Sequence, residues 1–138
     1  MSHQAIIALV LAATCFVSMF ILAIKQYEKY IGDCIEALDK ELFALSGEIA
    51  WVKASIAGKE LDRDDATKAS KIYYDRAKRF RQLGRAIQAD AIEVLGDKEF
   101  NHAIACQFEL DNLQVRLDNA IEQDRQLRAE GRIKYGLV

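Results

Sequence analysis

The stretch Ala5–Ile24, AIIALVLAATCFVSMFILAI, carries no charged residue, and Thr14 and Ser18 are its only clearly polar side chains. An α-helix rises about 1.5 Å per residue, so a helix of this length spans about 30 Å. That distance matches the hydrocarbon core of a bilayer. The stretch therefore predicts a transmembrane helix at residues 5–24, preceded by a short tail at residues 1–4.

The apolar stretch is predicted to be a retained anchor rather than a cleaved signal. A secretory signal has a basic N-terminal region, a shorter apolar core and a cleavage site made of small residues. The first four residues contain no Lys or Arg, and the stretch runs directly into Lys25. The alternative is a buried core helix of a soluble protein, although such a helix is rarely apolar on every side.

The charges that flank the stretch indicate its orientation. Lys25, Lys29 and Lys40 follow it, whereas no Lys or Arg precedes it. Under the positive-inside rule, this bias places the C-terminal region in the cytoplasm. We therefore predict a single-pass, signal-anchored membrane protein whose first partner is the lipid bilayer.

Beyond the anchor, the composition is that of one small helical domain. The 138-residue chain has no proline, and the part after Ile24 is rich in Ala, Leu, Glu, Lys, Arg and Gln. These residues are the strongest helix formers, and proline is the residue that most often interrupts a helix. The region is therefore predicted to be all-α.

Apolar residues spaced alternately by three and four predict helices at about residues 25–57, 65–95 and 98–130. Gly58, Gly96 and Gly131 are predicted to end them, leaving a mobile tail at residues 131–138. The predicted fold is a single transmembrane helix that continues into an antiparallel three-helix coiled-coil-like bundle at residues 25–130. The three predicted seams are Ile35, Leu38, Leu42, Leu45, Ile49, Val52 and Ile56; Ala66, Ala69, Tyr73, Phe80, Leu83, Ile87 and Val94; and Ala103, Cys106, Leu110, Leu113, Leu117, Ala120 and Leu127.

Cys34 and Cys106 are a candidate thiol pair. The three-helix arrangement brings both to the same height in the bundle and predicts that they lie within about 10 Å of each other. A disulfide needs Cα atoms closer than about 7 Å and an oxidising compartment. Because Cys106 lies on the third seam, a small buried apolar residue is the simpler interpretation.

Two sets of side chains are candidate interaction surfaces. Phe43 and Trp51 lie on a second apolar strip of the first helix, which serves either the wider core of a three-helix bundle or a protein partner. The other set is a basic run that either pairs with acidic helices of the same chain or binds nucleic acid or anionic lipid. The net charge of −2 does not favour a nucleic-acid partner. The basic set is Lys71, Lys78, Arg79, Arg81 and Arg85.

The sequence predicts no reactive centre. His102 is the one histidine after the anchor, with only Glu99, Asn101 and Cys106 near it in sequence. Catalytic triads and zinc sites need convergent partners that this neighbourhood does not provide. No glycine-rich phosphate loop occurs either. We predict no catalytic residue, no metal, no cofactor and no enzymatic activity.

The predicted function is a non-catalytic, membrane-anchored helical scaffold or accessory subunit that binds a protein partner, or another copy of itself, through its helical faces. In outline, the short N-terminus, single span and charged coiled coil resemble phage inner-membrane spanins, which act in host lysis. The same outline is similar to that of small divisome coiled-coil proteins. Either resemblance implies an extracytoplasmic helical domain, and this is the alternative to the cytoplasmic scaffold.

Overall fold

Two α-helices form the computed structural model, which describes residues 2–134. α1 is His3–Gln82 and α2 is Ala86–Lys134, and the described residues contain no strand. The all-α prediction is confirmed, but the three-helix bundle is wrong. α1 continues through the predicted end of the first helix and most of the predicted second helix. α2 contains the remainder of the second helix together with the third.

The described chain divides into two compact units. One contains residues 2–43 and 126–134, and the other contains residues 44–125. Each unit includes a segment of α1 and a segment of α2.

The N-terminal part of α1 contains the predicted membrane span. Its most apolar window has a mean hydropathy of 2.7, and none of that window is buried. The Ser18 hydroxyl donates a hydrogen bond to the carbonyl oxygen of Thr14 at 2.8 Å, and the Thr14 hydroxyl donates to the carbonyl four residues before it. The two polar side chains are thus satisfied within the helix, as lipid surroundings require. By length and composition, α1 is able to cross a membrane.

A narrow seam of mostly small residues joins the two helices in the unit of residues 44–125. Small side chains allow two helix backbones to approach closely, and their alternate spacing by three and four keeps them on one face. The seam predicted for the third helix is confirmed, because five of its seven residues are buried and the other two half-buried. The buried residues of the unit are Val52, Ala66, Ser70 and Ala77 of α1, with Ala89, Gly96, Ala103, Cys106, Leu110, Leu117 and Ala120 of α2.

The break predicted at residues 58–65 lies in the interior of α1. Gly58 is helical, and it weakens a helix by about 1 kcal/mol relative to alanine. The seam nevertheless continues through this region, where Arg63 donates a hydrogen bond from Nη1 to Oε1 of Gln107 at 2.8 Å. Contacts with α2 therefore outweigh the local signals for a turn, while Asp62 and Asp64 remain exposed on the surface.

The turn between the helices is at Gly84, which has a φ of +72°. The N–H of Arg85 donates to the carbonyl of Phe80 at 2.9 Å, and the N–H of Gly84 donates to that of Arg81 at 3.0 Å. This pair of bonds is the Schellman motif, in which glycine adopts the left-handed conformation without a Cβ clash. The reversal there explains why Leu83 and Ile87, predicted as seam residues, are exposed.

Gly96 is predicted to end a helix, yet it lies inside α2. A Cβ at this position would come within 3.0 Å of Cε1 of Tyr74 and within 3.3 Å of Cβ of Tyr73. The hydroxyl of Tyr74 also donates a hydrogen bond to Oδ1 of Asp97 at 2.6 Å. The Gly96-Asp97 dipeptide therefore forms a contact between helices rather than a turn.

In the unit of residues 2–43 and 126–134, the segments of α1 and α2 also approach each other closely. The side chain of Leu38 occupies the space that a Cβ at Gly131 would need. Gly131 lies within α2 instead of ending it, so the predicted tail is helical over residues 131–134. Residues 1 and 135–138, which belong to the predicted terminal tails, lie outside the described residues.

Candidate protein-binding face

The second apolar strip of α1 is exposed to solvent. With two helices in place of three, no further helix of the described chain covers it. The side chains of Phe43, Trp51 and Leu61 are 82%, 57% and 62% exposed. We define the outer apolar face as Phe43, Gly47, Ala50, Trp51, Ala54, Ala57 and Leu61.

The outer apolar face lies opposite the seam. With Val52 and Ile56 on the seam, Ala50 and Ala54 fall at the b and f positions of the heptad, on the side of the helix that faces away from the partner helix. In a solvated coiled coil these positions are normally polar. Six of them in succession, from Phe43 to Leu61, carry no charge. An exposed apolar surface of this kind marks an interaction site more often than a solvated face.

Trp51 also forms a cation–π contact with a side chain of α2. The guanidinium of Arg116 lies over its ring, 5.0 Å from the centroid. Arg116 also donates from Nε to Oε1 of Glu48 at 2.9 Å. A cation over an aromatic ring is attracted by the ring quadrupole, and the carboxylate holds that cation in place. The indole is thereby oriented while one side of it stays open.

A groove of about 600 Å³ runs beside Trp51 between the two helices. Gly58 forms part of its wall, where the missing side chain leaves space. Lys59 and Glu109 pair across the groove at 2.6 Å, and this hydrogen bond and charge raise the pKa of the Lys59 amine above 10.5. The groove therefore combines an aromatic edge with the paired charges of Lys59 and Glu109, a composition suited to the side chains of a docked protein.

The basic run is separated from the outer apolar face and is exposed throughout. Arg81 forms ion pairs with Asp90 and Glu93 of α2, the former at 3.0 Å, and these hydrogen bonds raise its pKa. Within the described residues, no ion pair forms at the other four positions, Lys71, Lys78, Arg79 and Arg85. Pairing within the chain, the first of the two interpretations given above, thus holds for one of the five.

The two cysteines of the predicted pair have free thiols. Cys34 is half-buried beside Leu127, while Cys106 is buried with its Sγ 3.8 Å from Nε2 of His102. The three-helix arrangement from which their pairing was predicted is absent. His102 itself is exposed. Across residues 2–134, no group of three or more His, Cys, Asp or Glu side chains is placed to hold a metal ion.

Several residues of this surface were missed from sequence. The strip was recognised through Phe43 and Trp51, but the small residues between Phe43 and Leu61 were not included, although their spacing alternates between three and four as the seam does. Arg116 and Glu48 are 68 positions apart, so only the antiparallel register brings them together. The sequence matches no protein-family model, no curated protein and no solved structure.

Proposed function

We propose that this chain is a non-catalytic, membrane-anchored helical hairpin that binds protein through the outer apolar face of α1. The observation that supports the proposal is the run of six uncharged outer heptad positions between Phe43 and Leu61, all exposed. Partner binding removes this apolar surface from water, at about 25 cal/mol for each Å² buried. Trp51 is the natural anchor residue, because tryptophan is enriched where binding energy concentrates.

The anchor in this proposal is the apolar segment at residues 5–24. Its side chains are exposed in the described chain, and a bilayer would cover them. Lys25 and Lys29 follow this segment and no Lys or Arg precedes it, so the positive-inside rule favours a hairpin in the cytoplasm. The chain would then present a binding face at the membrane as a scaffold or accessory subunit.

A charge in the middle of the outer apolar face tests the binding role. Ala54→Glu buries a carboxylate in any interface formed there, so we expect the detergent-extracted complex to fall to the mass of the single chain. Ala91→Glu places the same charge on an exposed position of α2 and serves as the matched control. The far-ultraviolet circular dichroism of both variants should equal that of the unmodified chain. A complex unchanged by Ala54→Glu would show that this face is not the binding surface.

A spanin-like lysis protein is the second candidate function. It is supported by the continuity of α1, which runs from the apolar segment into the paired region without a break. This function requires the hairpin outside the cytoplasm. A reporter fused after Val138 that is active only in the periplasm would favour it and rule out the cytoplasmic scaffold. Lysis on overexpression that requires residues 5–24 would support it further.

A further inference from the structure

The turn between α1 and α2 presents two apolar side chains to solvent. Leu83 directly precedes Gly84 and is 71% exposed, and Ile87, the second residue of α2, is 85% exposed. Among the described residues, no large apolar side chain is more exposed than that of Ile87. A turn that only reverses the chain in water is normally polar. The two side chains therefore indicate surroundings other than water at this end of the hairpin.

The residues around the turn carry an excess of positive charge. Residues 76–89 contain five basic residues and no acidic one. Of these five, Arg81 alone forms ion pairs within the described chain, and its partners are Asp90 and Glu93, the next acidic residues along α2. The acidic groups nearest the start of α2 are thus already engaged. The cations left without an ion pair are Arg76, Lys78, Arg79 and Arg85.

Three of these cations lie close to the two apolar side chains. At a rise of about 1.5 Å per residue, Lys78, Arg79 and Arg85 are all within about 9 Å of the turn. The N–H of Leu83 donates a hydrogen bond to the carbonyl oxygen of Arg79 at 3.1 Å, so Leu83 continues the last turn of α1 on the same face as Arg79. We define the basic apolar tip as Lys78, Arg79, Leu83, Arg85 and Ile87, all exposed and all within the unit of residues 44–125.

This combination of side chains matches the surface of a bilayer that contains anionic lipid. Apolar side chains at such a surface enter the boundary between headgroups and acyl chains, while Lys and Arg attract the anionic headgroups. The long stems of Lys and Arg allow the charges to stay at headgroup level as the apolar residues insert. The charge of the tip is therefore complementary to that of the headgroups, and its apolar residues to the layer beneath them.

The exposed side chains of the tip fit nucleic acid less well. Single strands stack their bases on exposed aromatic rings, and duplexes are held mainly through their phosphates. Phe80, the one aromatic residue in residues 76–89, is half-buried. Nucleic acid would thus use the cations and leave Leu83 and Ile87 in water.

We propose that the basic apolar tip docks on the surface of a bilayer that contains anionic phospholipid. Leu83 and Ile87 enter the layer below the headgroups, and the three cations bind headgroup phosphates. This contact uses no residue of the outer apolar face and none of the apolar segment at residues 5–24. The chain then has two sites for lipid, one in that segment and one at the turn.

Nanodiscs allow lipid binding at the tip to be measured in the full chain. The chain is inserted through residues 5–24 into nanodiscs of phosphatidylcholine, and vesicles are then added and floated on a density gradient. We expect these nanodiscs to float with vesicles that contain about 30% phosphatidylglycerol, and not with vesicles of phosphatidylcholine alone. Equal recovery with both kinds of vesicle, or recovery with neither, would overturn the proposal.

Neutralising two cations tests the electrostatic part of this contact. Each cation near an anionic surface strengthens binding about fivefold, so Arg79→Gln with Arg85→Gln should raise the lipid concentration for half-binding about thirtyfold. The matched control, Lys53→Gln with Lys68→Gln, removes the same charge from exposed positions of α1. These lie more than about 20 Å from the turn, beyond the Debye length of about 10 Å at 0.1 M salt. Equal weakening in the two variants would show that the tip is not the binding site.

Replacing the two apolar residues distinguishes a bilayer from nucleic acid. Leu83→Ser with Ile87→Ser keeps every charge, and we expect it to weaken vesicle binding at least about tenfold. Far-ultraviolet circular dichroism should be unchanged, because both side chains are exposed in the folded chain. The same nanodiscs are also titrated with a short DNA duplex. If the serine variant binds vesicles as tightly as the unmodified chain, and the duplex binds through Arg79 and Arg85, the tip is a nucleic-acid site and the proposal is wrong.

Discussion

Single glycines decide where this chain turns. Gly84 has a positive φ, whereas Gly58 is helical with nothing within 4 Å of the place a Cβ would occupy. We expect Gly58→Ala to raise the free energy of unfolding by about 1 kcal/mol, because alanine is the better helix former. Gly84→Ala should lower it by about 1–2 kcal/mol, because the left-handed conformation strains an L-residue.

Urea unfolding followed by circular dichroism measures both glycine variants. The three-helix prediction implies the opposite for Gly58, since alanine at the end of a helix would lose a left-handed cap. Destabilisation by Gly58→Ala would therefore contradict the continuous α1.

The hydroxyl of Tyr74 is expected to make the stability of the hairpin depend on pH in the alkaline range. The hydrogen bond to Asp97 raises the pKa of Tyr74 above its ordinary value of 10.0. A group with a higher pKa in the folded chain binds its proton more tightly when folded. Its contribution is therefore complete below the unfolded pKa and is lost as pH rises through the folded one. We expect the melting temperature to fall more steeply as the pH rises above about 10 than it does in Tyr74→Phe.

Tyr74→Phe is the control for every other effect of alkaline pH on the chain. It removes the hydroxyl and keeps the ring that lies beside Gly96. Identical pH dependence in the two chains would show that the hydrogen bond to Asp97 does not contribute to stability.

At the scale of the helix, the closeness of α1 and α2 depends on small seam residues. Ala89 is fully buried, and Ala91 two positions later is exposed. Ala89→Leu forces a large side chain into a filled seam, and we expect a loss of about 1–3 kcal/mol in the free energy of unfolding. Ala91→Leu adds the same atoms on the surface and should leave stability within about 0.5 kcal/mol.

The sequence predicted the periodicity of these helices better than their ends. The seam from Ala103 to Leu127 was predicted correctly, because the spacing of apolar residues directly reports the buried face. The turn was misplaced, since Gly96-Asp97 has the local signature of a helix boundary and Gly84-Arg85 does not. The contact between Tyr74 and Gly96 keeps the chain helical at Gly96 despite that local signature, and it joins residues 22 positions apart. The outer apolar face was recognised only in part for a related reason: its exposure depends on the number of helices.

For the whole molecule, an apolar helical segment at one end of α1 requires surroundings that the rest of the described chain does not provide. Cys15 lies in that segment and is exposed. In water, an exposed thiol reacts with maleimides, whereas in the hydrocarbon core it is out of reach of a charged reagent. With Cys34 and Cys106 replaced by alanine, we expect Cys15 of vesicle-bound chain to resist a membrane-impermeant maleimide and to react with it after the vesicles are dissolved and the chain is unfolded in dodecyl sulfate.

The same labelling separates a membrane span from an apolar helix that lies in water or in a protein interface. In a second variant, Cys15→Ala with Ser2→Cys, the thiol is moved to the end of the segment, where the charged reagent should reach it on one side of the bilayer. That result would show that the protection of Cys15 comes from depth in the bilayer and not from a folded protein core. Rapid labelling of Cys15 by the charged reagent in intact vesicles would show that residues 5–24 do not span the bilayer. There would then be no reason to place the hairpin at a membrane.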